Sequence, residues 1–450
     1  MTPGSRPRVL VYGLGVSGAA VARHLLADGT DVVAADDDAG PRPASVAAEL
    51  GLDLVVAPDA DALASLAASV DEVVVTPGVP AAHPVFALDG VPLVGEVELA
   101  WRRARVPMVA VTGTNGKTTV VTMATSMLEA SGRRAVAAGN IGLPLLDALD
   151  RDPEVVVAEV SSFQLALTRD FRPAVGAWLN FSADHLDWHP SLEHYRAAKA
   201  QLWANAATGD VVVVNADDAV VVAESAAPVR RGARAVTFGL DRGDVRVRHG
   251  ALVVSGEEVV HVDELARPFP HEVSDALCAV AAATSMGADR AGCRRALLEF
   301  RGLPHRVELV GEANGVKFYD DSKATTPGAV LAAVPAFTHA VLVAGGRNKG
   351  LDLSVLGTLA PHVRAVVAIG EAAPEVESAF AGLRPVQRAE SMGDAVLAAS
   401  SLARPGDAVL LSPACASFDW YSSYAERGDD FARCVRELAG AGPASEGAAR

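Results

Sequence analysis

Cysteine, lysine, aromatic residues and positive charge are all scarce in this chain of 450 residues. The formal net charge of -16 argues against a general nucleic-acid or membrane-surface binder, because both need a positive field. The four cysteines lack C-x-x-C spacing, so reduced thiols in a cytoplasmic protein are expected. No run reaches the roughly 18 apolar residues of a membrane helix, and the opening residues MTPGSRPRVLVYG predict no secretion signal.

Only five of the 39 basic residues are lysines. Arginine therefore supplies the ordinary surface cations, and each lysine is a candidate for chemistry that a guanidinium cannot perform. An ammonium is a compact point charge, and its amine can lose a proton. The five are Lys117, Lys199, Lys317, Lys323 and Lys349.

Short β-branched runs alternate with Ala- and Leu-rich helical stretches, which predicts an α/β fold with parallel sheets. Breaks in this pattern predict a Rossmann-like domain at 1–103, a central P-loop ATPase-type domain at 104–302 and a Rossmann-like domain at 303–440. Residues 241–262 predict a small β-meander, and 441–450 a disordered tail. Predicted strands include 9–13, 72–78, 108–114, 155–162, 211–218, 340–346, 365–370 and 408–414.

A glycine-rich turn, Gly13-x-Gly15-x-x-Gly18, follows the first strand and begins a helix, with Asp36 at the end of the next strand. Glycines at this spacing let backbone amides approach a diphosphate at a helix N-terminus. Taken alone, the turn favours NAD or FAD. A site for another nucleotide diphosphate, or a turn that binds nothing, remains open.

The string VTGTNGKTTV at 111–120 is similar to a phosphate loop, but valine replaces the first glycine of the pattern G-x-x-x-x-G-K-[ST]. Gly113 and Gly116 permit an amide-lined turn, Lys117 is able to reach outer phosphates, and Thr118 is able to ligate Mg²⁺. We therefore expect ATP to bind at this shortened loop.

Other polar residues follow predicted strands of the central domain. Glu159 lies in VVVAEVSSFQ and His185 in NFSADHLDWH, where they suit a metal ion that bridges ATP phosphates. Composition alone makes Lys199, in LEHYRAAKAQLW, a surface lysine. Four loops of the last domain are rich in small polar residues, as ligand-binding loops are: 303–308, 319–327, 344–352 and 412–428.

Together these strings resemble the Mur ligase family over nearly the whole chain, from Gly13 to about Phe431. GTNGKTT and the E-x-S-S string occur across that family, whereas SSFQL, DSKATT, GGRNKGLD and SPACASFD are similar to strings of its D-glutamate-adding members. The DNPR string of members that add dibasic residues is absent. The resemblance implies ATP-dependent addition of D-glutamate to UDP-N-acetylmuramoyl-L-alanine through an acyl phosphate, in peptidoglycan precursor synthesis. It implies a cytoplasmic monomer that neither binds nucleic acid nor inserts into a membrane.

The resemblance also implies the site residues. ATP is expected at Gly113, Thr114, Asn115, Gly116, Lys117, Thr118, Thr119, Arg306, Asp321 and Lys323. Catalysis is assigned to Lys117, Glu159, His185 and Lys199. Two Mg²⁺ ions are assigned to Thr118, Glu159, His185 and Lys199, the last as a carbamate formed with CO₂. The UDP-sugar is expected at Val16, Ser17, Asp36, Asp37, Gly78 and Asn140. D-Glutamate is expected at Thr325, Lys349, Ser417, Phe418 and Tyr424.

Two features of the sequence depart from the family pattern. The adenine-contacting string H-N-x-x-N is replaced by HEVSD at 271–275, in which Asp275 is able to accept a hydrogen bond from the exocyclic amine. Asp38 stands where an arginine is common beside the uracil.

Three other functions are alternatives to the ligase. A folylpolyglutamate synthetase-like ligase would share a related ATP core. An NAD-dependent dehydrogenase built on Gly13–Gly18 would leave GTNGKTT and the retained lysines without a role. A non-catalytic nucleotide-binding regulator is disfavoured because Glu159, His185 and Lys199 occur together.

Overall fold

The computed structural model describes residues 6–186 and 188–440, which form two compact units. The first unit holds two sheets; the second holds a third sheet and the short segments 182–186 and 267–271. The expected disordered tail, 441–450, lies outside the described residues. Within those residues, no helix combines the length and the apolar character that a membrane span requires.

The N-terminal part of the chain is a Rossmann-like domain. Its elements are β1 (Arg8–Tyr12), α1 (Val16–Ala27), β2 (Asp31–Asp36), α2 (Pro41–Leu50), β3 (Leu54–Val56), α3 (Ala60–Ala68), β4 (Glu72–Val75), a 3₁₀ helix (Pro84–Ala87), β5 (Leu93–Val94) and α4 (Glu96–Arg103). All five strands are parallel, in the order β3-β2-β1-β4-β5. A Cβ on Gly18 would lie 1.8 Å from the carbonyl oxygen of Gly13, so glycine there allows α1 to start close against β1.

The central part of the chain is a larger α/β domain. Its elements are β6 (Met108–Thr112), α5 (Lys117–Ala130), β7 (Ala135–Gly139), α6 (Leu145–Leu149), β8 (Val155–Glu159), α7 (Ser162–Ala166), β9 (Val175–Trp178), α8 (Leu192–Ala200), a 3₁₀ helix (Gln201–Trp203), β10 (Val211–Asn215), α9 (Ala219–Arg230), β11 (Arg234–Gly239), β12 (Val245–Arg248), β13 (Ala251–Val254), β14 (Glu257–His261), a 3₁₀ helix (Val262–Glu264), α10 (Pro270–Ser285) and α11 (Arg290–Glu299). The sheet order is β14-β13-β12-β11-β10-β9-β6-β8-β7. The antiparallel pairs β12–β13 and β13–β14 confirm the predicted β-meander.

The order of the central strands determines where a ligand site can lie in this domain. β6 lies between β8 and β9, and all three are parallel. The loops that follow their carboxyl ends therefore meet at one edge of the sheet, which is where parallel sheets bind ligands. Apolar residues of α5, α10 and α11 cover one face of this sheet and hold the edge in place.

The C-terminal part of the chain is a second Rossmann-like domain. Its elements are β15 (Glu308–Ala313), β16 (Val316–Asp320), α12 (Pro327–Ala333), a 3₁₀ helix (Val334–Ala336), β17 (Ala340–Gly345), a 3₁₀ helix (Leu353–Leu359), β18 (Val363–Ile369), α13 (Ala373–Phe380), β19 (Val386–Arg388), α14 (Met392–Leu402), β20 (Ala408–Ala414) and α15 (Tyr424–Gly440). The sheet order is β15-β16-β20-β17-β18-β19, and only β15 pairs antiparallel.

The predicted α/β fold and its parallel sheets are confirmed. Several predicted strands extend too far because their last residues begin the next helix. Ser161 and Asp218, both inside predicted strands, are instead N-caps whose side chains accept hydrogen bonds from helix amides. The domain boundaries 103/104 and 302/303 stay predictions.

Candidate active site

The phosphate loop runs from the end of β6 to the start of α5. Its cap, Gly116, has φ 84, and a Cβ there would lie 2.2 Å from Oδ1 of Asp275. Nζ of Lys117 donates to the carbonyl oxygens of Gly113 and Thr114, at 3.0 Å each. The loop thus presents the N-terminus of a helix and one ammonium group, the arrangement that receives phosphate in proteins.

Asn180, just after β9, holds the loop in shape. Its Oδ1 accepts hydrogen bonds from the amides of Thr114 at 3.0 Å and Asn115 at 2.9 Å, and its Nδ2 donates to the carbonyl of Asn115 at 3.2 Å. Because these two amides already bond Asn180, we expect phosphate to be bound by the amides at the start of α5.

Lys199 is buried, with 1% of its surface exposed. Its Nζ donates to the carbonyl of Gly113 at 2.8 Å and to Oγ1 of Thr112 at 3.4 Å, and it lies 4.8 Å from the centre of the Tyr195 ring. The surface position that composition alone predicts is therefore wrong, because α8 turns this side chain toward the phosphate loop. Lys117 and Lys199 both donate to the carbonyl of Gly113.

Glu159 is buried at the end of β8. Its Oε1 accepts a hydrogen bond from Nδ2 of Asn140 at 2.9 Å, while its Oε2 has no hydrogen-bond partner among the residues described. A buried carboxylate oxygen without a partner costs free energy unless a cation binds it. This oxygen therefore fits a hard cation such as Mg²⁺.

A cavity of about 810 Å³ lies in the first unit, between the turn after β1 and the loop after β7. It is lined by all six residues expected to hold the UDP-sugar, which are Val16, Ser17, Asp36, Asp37, Gly78 and Asn140. Oδ2 of Asp36 accepts a hydrogen bond from the amide of Leu14 at 2.6 Å, and Oδ1 of Asp37 accepts one from the hydroxyl of Tyr12 at 2.6 Å. These carboxylates therefore shape the cavity as well as line it.

The departure at Asp38 has a local explanation. Its Oδ1 accepts a hydrogen bond from the amide of Gly40 at 2.8 Å, which shapes the turn before α2. α2 then brings Arg42 to the same cavity. Among the lining residues, Arg42 is the one cation beside three aspartates. Arg42 was not predicted, because it lies outside the glycine-rich turn that drew attention to this region.

In the second unit, the carboxylate of Asp184 contacts two residues that were predicted to belong to the site. Nζ of Lys349 donates to Oδ1 of Asp184 at 3.0 Å, and Nε2 of His185 lies 3.2 Å from its Oδ2. Burial favours a higher pKa for Asp184, but Lys349 and His185 outweigh burial, and its pKa is lowered. Lys349 thus bonds a carboxylate of the chain itself, and its expected contact with D-glutamate stays a prediction.

The loops after β16, β17 and β20 converge at one edge of the C-terminal sheet. Arg347 and Ala416 exchange two backbone hydrogen bonds of 2.9 and 3.0 Å, which join the loop of Lys349 to that of Ser417. In the first of these loops, Nζ of Lys323 lies 5.3 Å from the centre of the Tyr424 ring. The remaining predicted residues differ in exposure: Phe418 is 62% exposed, whereas Ser417 is 2% exposed. Thr325 bonds the carbonyl of Lys323 through its amide, at 2.9 Å.

The guanidinium of Arg427 connects two of these loops by hydrogen bonds. It is buried on α15 and donates to the hydroxyl and carbonyl oxygens of Ser322 and to the carbonyl oxygens of Cys415 and Ala416. Burial lowers its pKa to about 10. Sequence inspection missed Arg427, because an arginine in an amphipathic helix usually faces solvent.

Family models match three parts of the chain: the N-terminal domain of MurD-like Mur ligases at 7–95, the Mur ligase middle domain at 111–283 and the Mur ligase glutamate ligase domain at 305–415. A UDP-N-acetylmuramoylalanine--D-glutamate ligase from Frankia casuarinae is 44% identical, over 96% of this chain and 94% of that one. The relative of the same name from Pelotomaculum thermopropionicum is 42% identical, over 96% and 98%. The chain belongs to the Mur ligase family.

Solved Mur ligases share this fold. MurF from Acinetobacter baumannii aligns with a TM-score of 0.61 at 18% identity, over 96% of this chain and 93% of that one. At that identity the likeness shows the fold alone.

The residues assigned by the family resemblance are divided between the two units. Lys117, Thr118, Glu159 and Lys199 belong to the first unit, and His185 with the C-terminal residues belongs to the second. A metal site that joins His185 to Glu159 stays a prediction.

The buried carboxyl group of Asp321 should make the stability of this Mur ligase depend on pH. Burial raises its pKa from 3.8 to about 7, against a 2.7 Å hydrogen bond from Ser412 and the charge of Arg306. The folded state therefore binds an extra proton between about pH 4 and pH 7, and stability falls as pH rises through that window. The stability of the wild type relative to Asp321→Asn should fall by up to about 1.4 kcal/mol per pH unit there.

Urea unfolding at several pH values measures this difference. Burial lowers the pKa of His271 to about 4, which gives a slope of opposite sign, but both proteins share it and it cancels. The exposed Asp429→Asn is the matched control and should follow the wild type. Parallel profiles for the wild type and Asp321→Asn would show that Asp321 is ionised at its usual pH.

Proposed function

We propose that the chain is an ATP-dependent amide ligase that joins D-glutamate to UDP-N-acetylmuramoyl-L-alanine, with ADP and phosphate as products, in peptidoglycan precursor synthesis. Relatives at 44% and 42% identity bear the name of that activity. The observation that carries the proposal is the buried Oε2 of Glu159, which has no hydrogen-bond partner among the described residues. Glu159 ends β8, which lies beside β6, the strand that leads into the phosphate loop. Lys117 and Lys199 both donate hydrogen bonds to that loop. Nucleotide substrates suit a cytoplasmic enzyme, so we propose that location. One chain carries every predicted group of the site, so we also propose that the enzyme is a monomer.

The chemistry explains why these groups are needed. A carboxylate does not react with an amine, so one of its oxygens first attacks the γ-phosphorus of ATP and ADP leaves. The nitrogen of D-glutamate then attacks the acyl phosphate, gives up a proton and expels phosphate. Negative charge develops on the phosphoryl oxygens in the first step, and placed cations stabilise it. Lys117 supplies one such cation at the start of α5, and Arg306 and Lys323 are proposed to bind the same nucleotide.

Magnesium would be held by Thr118, Glu159, His185 and Lys199, the last as its carbamate. Mg²⁺ bound there would neutralise negative charge on the phosphates. Other residues of the chain orient the groups around it. Asn140 orients Glu159 through Nδ2, and Asn180 orients the phosphate loop.

The cavity of the N-terminal domain is proposed to bind the UDP moiety. The amides at the start of α1 suit the diphosphate, and Arg42 adds one positive charge where three aspartates would otherwise repel an anion. The competing function, an NAD-dependent dehydrogenase, would use this same cavity for a dinucleotide.

Phosphate release tests the proposal. With ATP and Mg²⁺ present, release should require both UDP-N-acetylmuramoyl-L-alanine and D-glutamate, because the acyl phosphate forms on one and is consumed by the other. L-Glutamate is the matched control for the amino acid. Calorimetric titration should show binding of the UDP substrate and none of NAD⁺ at millimolar concentration. Tight NAD⁺ binding without ligase turnover would contradict the proposal.

Lys199 is proposed to be carbamylated. Its Nζ is buried beside the phosphate loop, and only a neutral amine reacts with CO₂. Labelled bicarbonate should give a carbamate carbon signal by NMR, and Lys199→Arg should abolish both that signal and turnover, because a guanidinium forms no such adduct. Lys317→Arg, at an exposed lysine of β16, is the matched control and should keep both. A fully active Lys199→Arg enzyme would refute the carbamate.

Lys349 is proposed to bind a carboxylate of D-glutamate, with Thr325, Ser417, Phe418 and Tyr424 around the same substrate. A charge-assisted hydrogen bond is worth roughly 1.5–3 kcal/mol, so Lys349→Ala should raise the KM for D-glutamate at least tenfold. The KM for ATP should stay nearly constant. Steady-state kinetics measure both values, with Lys317→Ala as the control. A change confined to the KM for ATP would move Lys349 to the phosphate site.

A further inference from the structure

A second cavity lies in the β-meander of the central domain and has no part in the proposed reaction. Its volume is about 560 Å³, within the range of small-molecule sites. It is bounded by the start of β11, by β12, by the turn between β13 and β14, and by Thr284 and Ser285 at the end of α10. Asp275, beside the phosphate loop, precedes Ser285 by ten residues of α10. That length corresponds to about 15 Å of helix, so this cavity is separate from the phosphate loop.

Three arginines line this cavity, Arg234, Arg246 and Arg248. Arg246 and Arg248 alternate along β12 with Val245 and Val247, which pack into the core, so both arginines share the outer face. Nη1 of Arg246 donates to the carbonyl of Gly243 at 2.8 Å, which fixes the direction of its guanidinium.

The charges of these arginines are not balanced locally. In the described part of the chain, none of the three forms an ion pair with a carboxylate. The one lining carboxylate, Asp244, accepts hydrogen bonds at Oδ2 from the amide and hydroxyl of Thr237, at 2.9 and 2.8 Å.

Two arginines near the cavity do form ion pairs. Arg242 pairs with Asp217 at 3.1 Å and Arg290 with Glu257 at 2.7 Å.

We propose that this cavity is a binding site for a small molecule that carries a diphosphate or triphosphate group. A guanidinium presents planar paired donors that match phosphate oxygens, and Arg246 and Arg248, on one face of β12, suit several phosphate oxygens at once. The hydroxyls of Ser255 and Ser285 add neutral donors at the rim. The strong negative charge of the whole chain disfavours nucleic acid as the occupant.

Hydrogen exchange with inorganic pyrophosphate tests the site, because it reports where the probe binds. Pyrophosphate should slow amide exchange in 243–256 in the wild type, and should separately protect the phosphate loop at 111–118, which serves as an internal control. In the double variant Arg246→Ala, Arg248→Ala, the Kd read from 243–256 should rise at least tenfold, about 1.4 kcal/mol. Protection at 111–118 should persist, which also shows that the variant is folded.

Arg242→Ala is the matched control, since it removes a paired arginine of the same segment and should leave protection of 243–256 unchanged. Orthophosphate and citrate serve as alternative anions and should bind at least tenfold more weakly than pyrophosphate. No protection of 243–256 at 10 mM pyrophosphate, equal protection in the double variant, or equal binding of citrate would each overturn the proposal. Ligase turnover plays no part in this readout, so the proposal stands or falls independently of the proposed reaction.

Discussion

The carbonyl oxygen of Gly113 accepts hydrogen bonds from two lysines, and this shared acceptor joins three elements of the central domain around the phosphate loop. Lys117 comes from the start of α5 and Lys199 from α8, so one backbone oxygen joins a loop and two helices. Before Lys199 is carbamylated, that acceptor offsets the repulsion between the two ammonium groups. Carbamylation as proposed replaces the charge of Lys199 with a negative one and leaves Lys117 as the cation of the phosphate loop. Gly113 itself is placed by β6, which lies between β8 and β9.

Asn140 connects this centre with the cavity that is proposed to bind UDP. It donates to one oxygen of Glu159 and also lines the cavity of about 810 Å³. A ligand that moves Asn140 must therefore move a carboxylate that is proposed to hold metal. The second oxygen of Glu159 lacks a partner, so its orientation is set by the Asn140 bond and by packing. If the substrate and the metal bind as proposed, one amide side chain within the first unit links the two sites.

The sequence predicted those features that spacing alone determines. Glycines at 13, 15 and 18 specify a tight strand-to-helix turn, and alternating apolar segments specify parallel sheets, so the fold class followed from local pattern. Two of the residues that were missed, Asn180 and Arg427, act through contacts distant in sequence. Asn180 bonds a loop 65 residues away, and Arg427 bonds Ser322 across 105 residues. No periodicity identifies such pairs, and composition failed at Lys199 because it does not show which face of α8 turns inward.

Lys349 shows how a strongly acidic chain is able to select an anionic substrate. The structure pairs it with Asp184, so its ammonium is not buried without a counter-charge. If a substrate carboxylate binds Lys349 as proposed, it competes with a carboxylate of the chain, and the exchange leaves the number of charge pairs unchanged. The bond to Asp184 that is lost offsets part of the attraction between the substrate and Lys349, so the lysine's net share in affinity is smaller than a full charge-assisted bond. Selectivity among amino acids must come from groups that Asp184 does not reach, so neutral donors such as Ser417 are better placed than the lysine to distinguish one dicarboxylate from another.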